Sequence, residues 1–121
     1  MTSPKTIFES YLGAFTANDT ERAAALLTDD FEFDGPMMQT SGKSAFLEGA
    51  AQLGPIVRGY RMIRQFEDGD DVCSIYDFEV ETPVGKGAIR MSEWSTVRDG
   101  KLASSRLIFD TPKFGALMPP S

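Results

Sequence analysis

From Ile7 onward the apolar residues fall three and four apart: Ile7, Phe8, Tyr11, Leu12 and Phe15 make one face of a helix. Ser3-Pro4 supplies its start, a hydroxyl cap ahead of a proline in the first turn. Asn18-Asp19 ends that helix and caps a second, whose buried stripe is Ala23, Leu26 and Leu27. The stretch DDFEFDGPMM, residues 29–38, then alternates acid with phenylalanine as a half-buried strand does, and breaks at Gly35-Pro36. Ser41 or Gly42 opens a third helix, with Phe46, Leu47, Ala50 and Leu53 inward and Gly54-Pro55 as its stop.

Beyond Val57 the period changes to two. Four strands are predicted, separated by turns at Asp68-Gly69-Asp70, Pro83-Val84-Gly85 and Asp99-Gly100, the last a two-residue hairpin signal. Helices first, one short strand among them, then a bent antiparallel meander: the pattern predicts an α+β fold with the helices on one face of the sheet. Residues 1–121 are read as a single domain, and Pro112, Pro119 and Pro120 predict an irregular tail over 111–121.

Composition narrows the chemistry. No apolar run approaches the roughly 20 residues of a membrane span. The opening MTSPKTIFESYL lacks a basic stretch followed by an apolar one, so no signal peptide is expected. The lone Cys73 excludes an internal disulfide and a cysteine-based zinc site, and suits a cytoplasmic location. The absence of histidine removes imidazole triads and His-metal motifs, leaving proton transfer to Asp, Glu, Tyr, Lys, Cys or water. Twelve Lys and Arg stand against eighteen Asp and Glu, a net charge of −6 with no basic cluster, which opposes a nucleic-acid footprint. Membrane association has no signal either.

Helix, helix, LLTDDFEFDGP, helix, then a meander closing on EWSTVRDGKLASSRLIFD resembles the nuclear transport factor 2-like superfamily, and within it the SnoaL-like and ketosteroid-isomerase-like group. The resemblance covers nearly the whole chain. It implies a cone-shaped, curved antiparallel sheet wrapped around three N-terminal helices (the cystatin-like architecture), enclosing a deep apolar cavity. Members include steroid isomerases, polyketide cyclases, epoxide hydrolases, dehydratases and non-enzymatic binding modules, so the fold alone does not assign an activity. No metal or organic cofactor is implied.

With that cone, period two puts Tyr76, Phe78 and Val80 inside and Asp77 and Glu79 outside. The family's register turns the faces carrying Arg90, Ser92 and Trp94, and Leu107 and Phe109, inward. Tyr11, Phe15, Phe33 and Phe46 complete the wall. By resemblance, Tyr11 is the oxyanion donor, though a core tyrosine bonded to backbone fits the same position. The family's carboxylate base falls on Gly35 when counted without gaps. Asp34, one residue early, reaches the pocket if the backbone bulges, and otherwise makes a turn with Gly-Pro. Ser92 stands where the steroid enzymes carry a protonated aspartate. Arg90, if inward, needs Asp34 or an anionic ligand as partner. If a bulge turns it outward, it needs neither. Asp34 and Arg90 also supply two members of the Asp–Arg–Asp set of limonene epoxide hydrolases. Asp77, Glu79 and Glu93 point outward in this register, so no third acid joins them.

Asp110 lies at the cavity mouth or caps the turn beyond it. Met37 and Met38 are expected to pack over the opening, and Cys73 to be a packing residue. An outer sheet face carrying Ile75, Ile89, Met91, Val97 and Ile108 predicts a sheet-mediated homodimer. The reading is a binder of a small hydrophobic molecule in an aromatic pocket. Catalysis would be cofactor-free proton transfer by Asp34, with Tyr11, Ser92 or Arg90 polarising the oxygen. A non-catalytic ligand-binding or dimerisation module is the alternative, and water addition to an epoxide comes third.

Overall fold

The computed structural model describes residues 2–118. Helix α1, Pro4–Thr16, begins where Ser3 accepts a hydrogen bond from the Thr6 amide at 3.3 Å. It ends as Asn18 takes a left-handed φ of 60°. Its buried face includes Ile7, Phe8, Tyr11 and Leu12. Asp19 caps α2, Thr20–Ala25, by accepting from the Arg22 amide at 3.2 Å. Leu27 belongs to the next strand and not to the α2 stripe. Strand β1, Leu27–Asp34, and a short β2, Gln39–Ser41, precede α3, Lys43–Ala50, which closes in one 3₁₀ turn at Ala51–Leu53.

The meander follows as β3, Val57–Asp68, β4, Asp71–Thr82, β5, Gly85–Arg98, and β6, Lys101–Phe109. At the β5–β6 hairpin Asp99 and Gly100 take φ of 54° and 76°, the doubly positive turn that suits strand twist. The six strands form one sheet in the order β2-β1-β6-β5-β4-β3. All neighbours are antiparallel except β1 and β6, which run parallel. The architecture is thus α+β, an unclosed curved sheet with the N-terminal helices against its inner face, as the sequence implied. Two details go beyond the sequence reading: β2 as a sixth strand, and the parallel β1–β6 pair.

A third is a correction. The segment after Asp110 is not irregular. Thr111–Ala116 forms α4, because Asp110 caps it by accepting from the Lys113 amide at 3.0 Å and Pro112 sits in its first turn. Pro119 and Pro120 lie outside the described residues.

Cross-strand register fixes which residues face the helices. Tyr76, Met91 and Phe109 stand opposite one another along β4, β5 and β6, as do Ser74, Glu93 and Leu107 one step on. Directly opposed residues share a face. Hence Ile89, Met91, Glu93 and Ser95 are inside, and Arg90, Ser92 and Trp94 are outside. The expected direction of β5 is therefore reversed. No register shift interrupts β5 between Gly85 and Thr96, so nothing can turn Arg90 back. It stands opposite Asp77 on the outer face and binds it with Nε to Oδ1 at 2.5 Å.

Candidate functional site

The helices and the inner sheet face enclose a cavity of about 320 Å³. Its wall is aromatic because α1, β1, α3 and β4 all aim phenylalanines at one space. Phe15, Phe33, Phe46, Phe78, Leu107 and Phe109 line it, with Tyr11 and Tyr76. Phe46 is the hub, with ring centroids 5.0 Å from Phe33, 5.1 Å from Phe31 and 6.5 Å from Phe15. Met37, Met38, Phe114 and Met118 lie around the same space. Such a volume and lining suit a small, mostly apolar ligand.

Polar groups gather at one place. Glu93, only 4% exposed, accepts a hydrogen bond from the Tyr76 hydroxyl at 2.7 Å. Burial raises the Glu93 pKa above the ordinary glutamate value, while hydrogen bonds from Tyr76 and Ser105 pull it partly back. Ser105 is itself 2.5 Å from Ser95, hydroxyl to hydroxyl, and both are buried. Tyr76 is pushed well above its usual pKa by burial, and then by the Glu93 charge and hydrogen bond. Tyr11 is raised likewise, by burial and by the Glu93 charge, and no hydrogen bond contributes to its shift. The Tyr11 hydroxyl and the Glu93 carboxyl are therefore polar groups this wall offers to a ligand. Among the described residues no Lys or Arg lines the cavity.

Eight of the twelve residues expected at the site line this cavity: Tyr11, Phe15, Phe33, Phe46, Tyr76, Phe78, Leu107 and Phe109. Asp34, Arg90, Ser92 and Trp94 do not. Phe33 stands opposite Ser105 on the inner face, so Asp34, next along β1, stands opposite Arg106 on the outer one. The strand does carry a register shift, but between Leu27 and Glu32, ahead of this pair. Gly35 closes the turn by donating to the Met38 carbonyl at 2.9 Å. A Cβ there would lie 2.9 Å from the Phe33 ring, so that ring already occupies the space a side chain would need. With Asp34 and Arg90 both outside the cavity and Arg90 paired with Asp77, neither the carboxylate-base arrangement nor the Asp–Arg–Asp set is formed there. Asp34, Ser92 and Trp94 instead border a groove across the outer face, where the Arg106 guanidinium lies 4.1 Å from the Trp94 ring centre.

Glu93 was expected to point outward. It faces inward because Ile89 and Met91, also expected outside, are core residues at 0% and 5% exposure and carry it with them. Phe114 and Met118 were missed because the tail was read as irregular.

Known proteins bear on this geometry. A SnoaL-like domain family model matches residues 8–105. Among curated proteins none matches. A solved protein from Kribbella flavida is 27% identical, with 91% of this chain and 89% of that one covered at a TM-score of 0.79. An NTF2-like protein of unknown function from Burkholderia pseudomallei is 14% identical, with 99% and 100% covered at a TM-score of 0.84. An LEH-like epoxide hydrolase from M. tuberculosis is 19% identical, with 92% and 86% covered at a TM-score of 0.79. The last two likenesses carry the fold alone. No helix among the described residues is long and apolar enough to cross a membrane. The curved sheet around an aromatic cavity has the fold of NTF2-like proteins, and the match over residues 8–105 gives the assignment: the chain belongs to the SnoaL-like domain family.

Proposed function

We propose that the protein binds a small, neutral, largely apolar molecule through one carbonyl or phenol oxygen, held by Tyr11 and Glu93. The observation that carries this reading is a single buried polar cluster in an otherwise apolar cavity without a cation. A carboxylate or phosphate ligand would bring a charge that nothing in the wall neutralises. A matched set of bicyclic probes tests this, read by the probe's own fluorescence because Trp94 lies on the far face. Wild type is expected to bind 2-naphthol about ten-fold more tightly than naphthalene, one net hydrogen bond's worth, and to reject 2-naphthoate. Tyr11→Phe should erase much of that preference, and Asp34→Asn should leave it intact. Equal affinity for all three probes would defeat the proposal.

A catalytic form of the same reading is favoured by the raised pKa of Glu93. It gives Glu93 the role first sought in Asp34, moving a proton while Tyr11 polarises the oxygen. Accelerated exchange of the α-hydrogens of 2-tetralone in D₂O, lost in Glu93→Gln, would support catalysis. Exchange at the buffer rate would leave binding alone.

We also propose that two copies pair through the outer sheet face. Cross-strand rows there set Ile75 beside Ser92 and Ile108, and Cys73 beside Trp94 and Arg106. Ile108 is 70% exposed and Trp94 45%. Ile89, Met91 and Val97 pack with the core and do not belong to this patch, but the exposed Phe66, opposite Cys73, adds to it. Light scattering should find a dimer for wild type and a monomer for Ile108→Asp. A wild-type monomer at high micromolar concentration would exclude the pairing.

A further inference from the structure

The cavity has two covers. The connection Gly35–Met38 borders it on one side, and the segment from Phe114 to Met118 on another. Each is seated in a glycine notch. A Cβ on Gly49 would collide with Met38 Sδ, and one on Gly87 would lie 2.5 Å from Leu117 Cδ1.

The covers differ in what else holds them. The connection runs between paired strands, with Asp34 opposite Gln39, and the Gly35–Met38 hydrogen bond tightens its turn. Swinging it aside would break that pairing. Helix α4 has six residues, too few to persist without tertiary support. Its support comes from a few contacts. Phe114 packs on Phe109 with ring centroids 5.5 Å apart, Leu117 fills the Gly87 notch, and the Thr82 hydroxyl donates to the Leu117 carbonyl. Releasing α4 breaks no strand pairing and withdraws Phe114 and Met118 from the wall.

We propose that α4 is the gate of the cavity, latched by Leu117 against Gly87 and Thr82, and that ligand enters and leaves when it undocks. The gate rests on the reading of this cavity as a ligand site. Local openings of this kind draw on the least stable parts of a fold and often set exchange rates.

The two notches supply a matched test. Gly87 lies in a strand outside the left-handed region, so Gly87→Ala strains no backbone and acts on Leu117. Gly49→Ala, in α3, acts on Met38 instead. In stopped flow with 2-naphthol, Gly87→Ala is expected to speed both association and dissociation by about five-fold or more, the effect of a mild overpacking clash. Its dissociation constant should change less than either rate, and Gly49→Ala, which presses on the cavity-lining Met38, should not accelerate both rates together. Unchanged rates in Gly87→Ala, or equal acceleration in Gly49→Ala, would overturn the gate.

A readout without ligand keeps the latch separate from the binding proposal. The Phe114, Leu117 and Met118 amides donate to Asp110, Phe114 and Gly115 carbonyls. Their hydrogen exchange should accelerate in Gly87→Ala while the amides of β4 stay protected. If 2-naphthol fails to bind, the ligand reading falls there. Unchanged exchange at the three amides would sink the latch on its own. Should Gly87→Ala loosen the whole fold, Thr82→Val must reproduce the selective loss of protection, and failure to do so counts equally against the gate.

Discussion

Phe8→Ala is expected to lower the unfolding free energy by about 3–5 kcal/mol, and Phe46→Ala to lower it by less. Both rings are buried, Phe8 at 0% and Phe46 at 2% exposure. They differ in what surrounds them. Phe8 is packed in the core, 6.0 Å by ring centroid from both Tyr11 and Tyr76, and is not among the residues lining the cavity. Phe46 lines the cavity, so part of its surface faces space rather than atoms. A side chain bordering a void has already forfeited the dispersion contacts on that side, and its removal enlarges an existing cavity instead of opening a new one. The comparison is made by urea unfolding at matched m-values, so that a shifted midpoint reads as stability. The order of the two costs discriminates between architectures. If Phe46→Ala costs as much as Phe8→Ala, the cone is filled by side chains and the ligand reading loses its space. The same Phe8 variant should also loosen Tyr11 and Tyr76, since its ring backs both.

How far the sequence reached is best seen strand by strand. On β4 the apolar set Tyr76, Phe78 and Val80 alternates with Asp77 and Glu79, and burial follows that contrast. On β6 the same rule places Ser105, Leu107 and Phe109 correctly. On β5 both faces mix apolar and polar residues: Ile89 and Met91 share one with Glu93 and Ser95, while Arg90 and Ser92 share the other with Trp94. Period two then gives two faces without saying which is inner, and the family's register chose the wrong one. A signal that could have decided it lay in the neighbouring strand. Once Asp77 is outside, its cross-strand partner Arg90 must be outside too, and opposite charges at paired positions favour that register. The register of Asp34 was legible in principle, because the base position fell on Gly35 in an ungapped count. A bulge cannot be located from one strand alone, and it lies between Leu27 and Glu32. The parallel β1–β6 pair, a contact between distant parts of the chain, left no local trace. Helix α4 did leave one in Asp110-Thr111-Pro112, an acceptor cap ahead of proline, but Pro112 was read with Pro119 and Pro120 as the mark of an irregular tail.

The other large expected effect belongs to Glu93, and its sign follows from the direction of its pKa. Burial raises the folded-state value above that of the unfolded chain, whose glutamates titrate near 4.3. Between the two values the native protein keeps a proton that the unfolded chain has released. Stability therefore falls as pH rises through that window, with a slope of at most about 1.4 kcal/mol per pH unit for one proton. Below the unfolded value the contribution is fully favourable, and above the folded value the cost of a buried charge is fully developed. Glu93→Gln keeps an acceptor for the Tyr76 hydroxyl and removes the titration. Its stability minus that of wild type, from urea melts between pH 4 and pH 9, should rise through the window and level off. The upper bend marks the folded pKa. Glu93→Ala should instead be less stable than Gln at every pH, by about 1–3 kcal/mol, because Tyr76 is left buried without its acceptor. If the carboxyl proton is what a ligand oxygen receives, affinity for 2-naphthol in wild type should decline across the same window and stay level in Glu93→Gln. A stability difference flat from pH 4 to pH 9 would mean that Glu93 titrates as an ordinary surface acid. The polar end of the cavity would then be an anion, able to accept from a ligand but with no proton to donate.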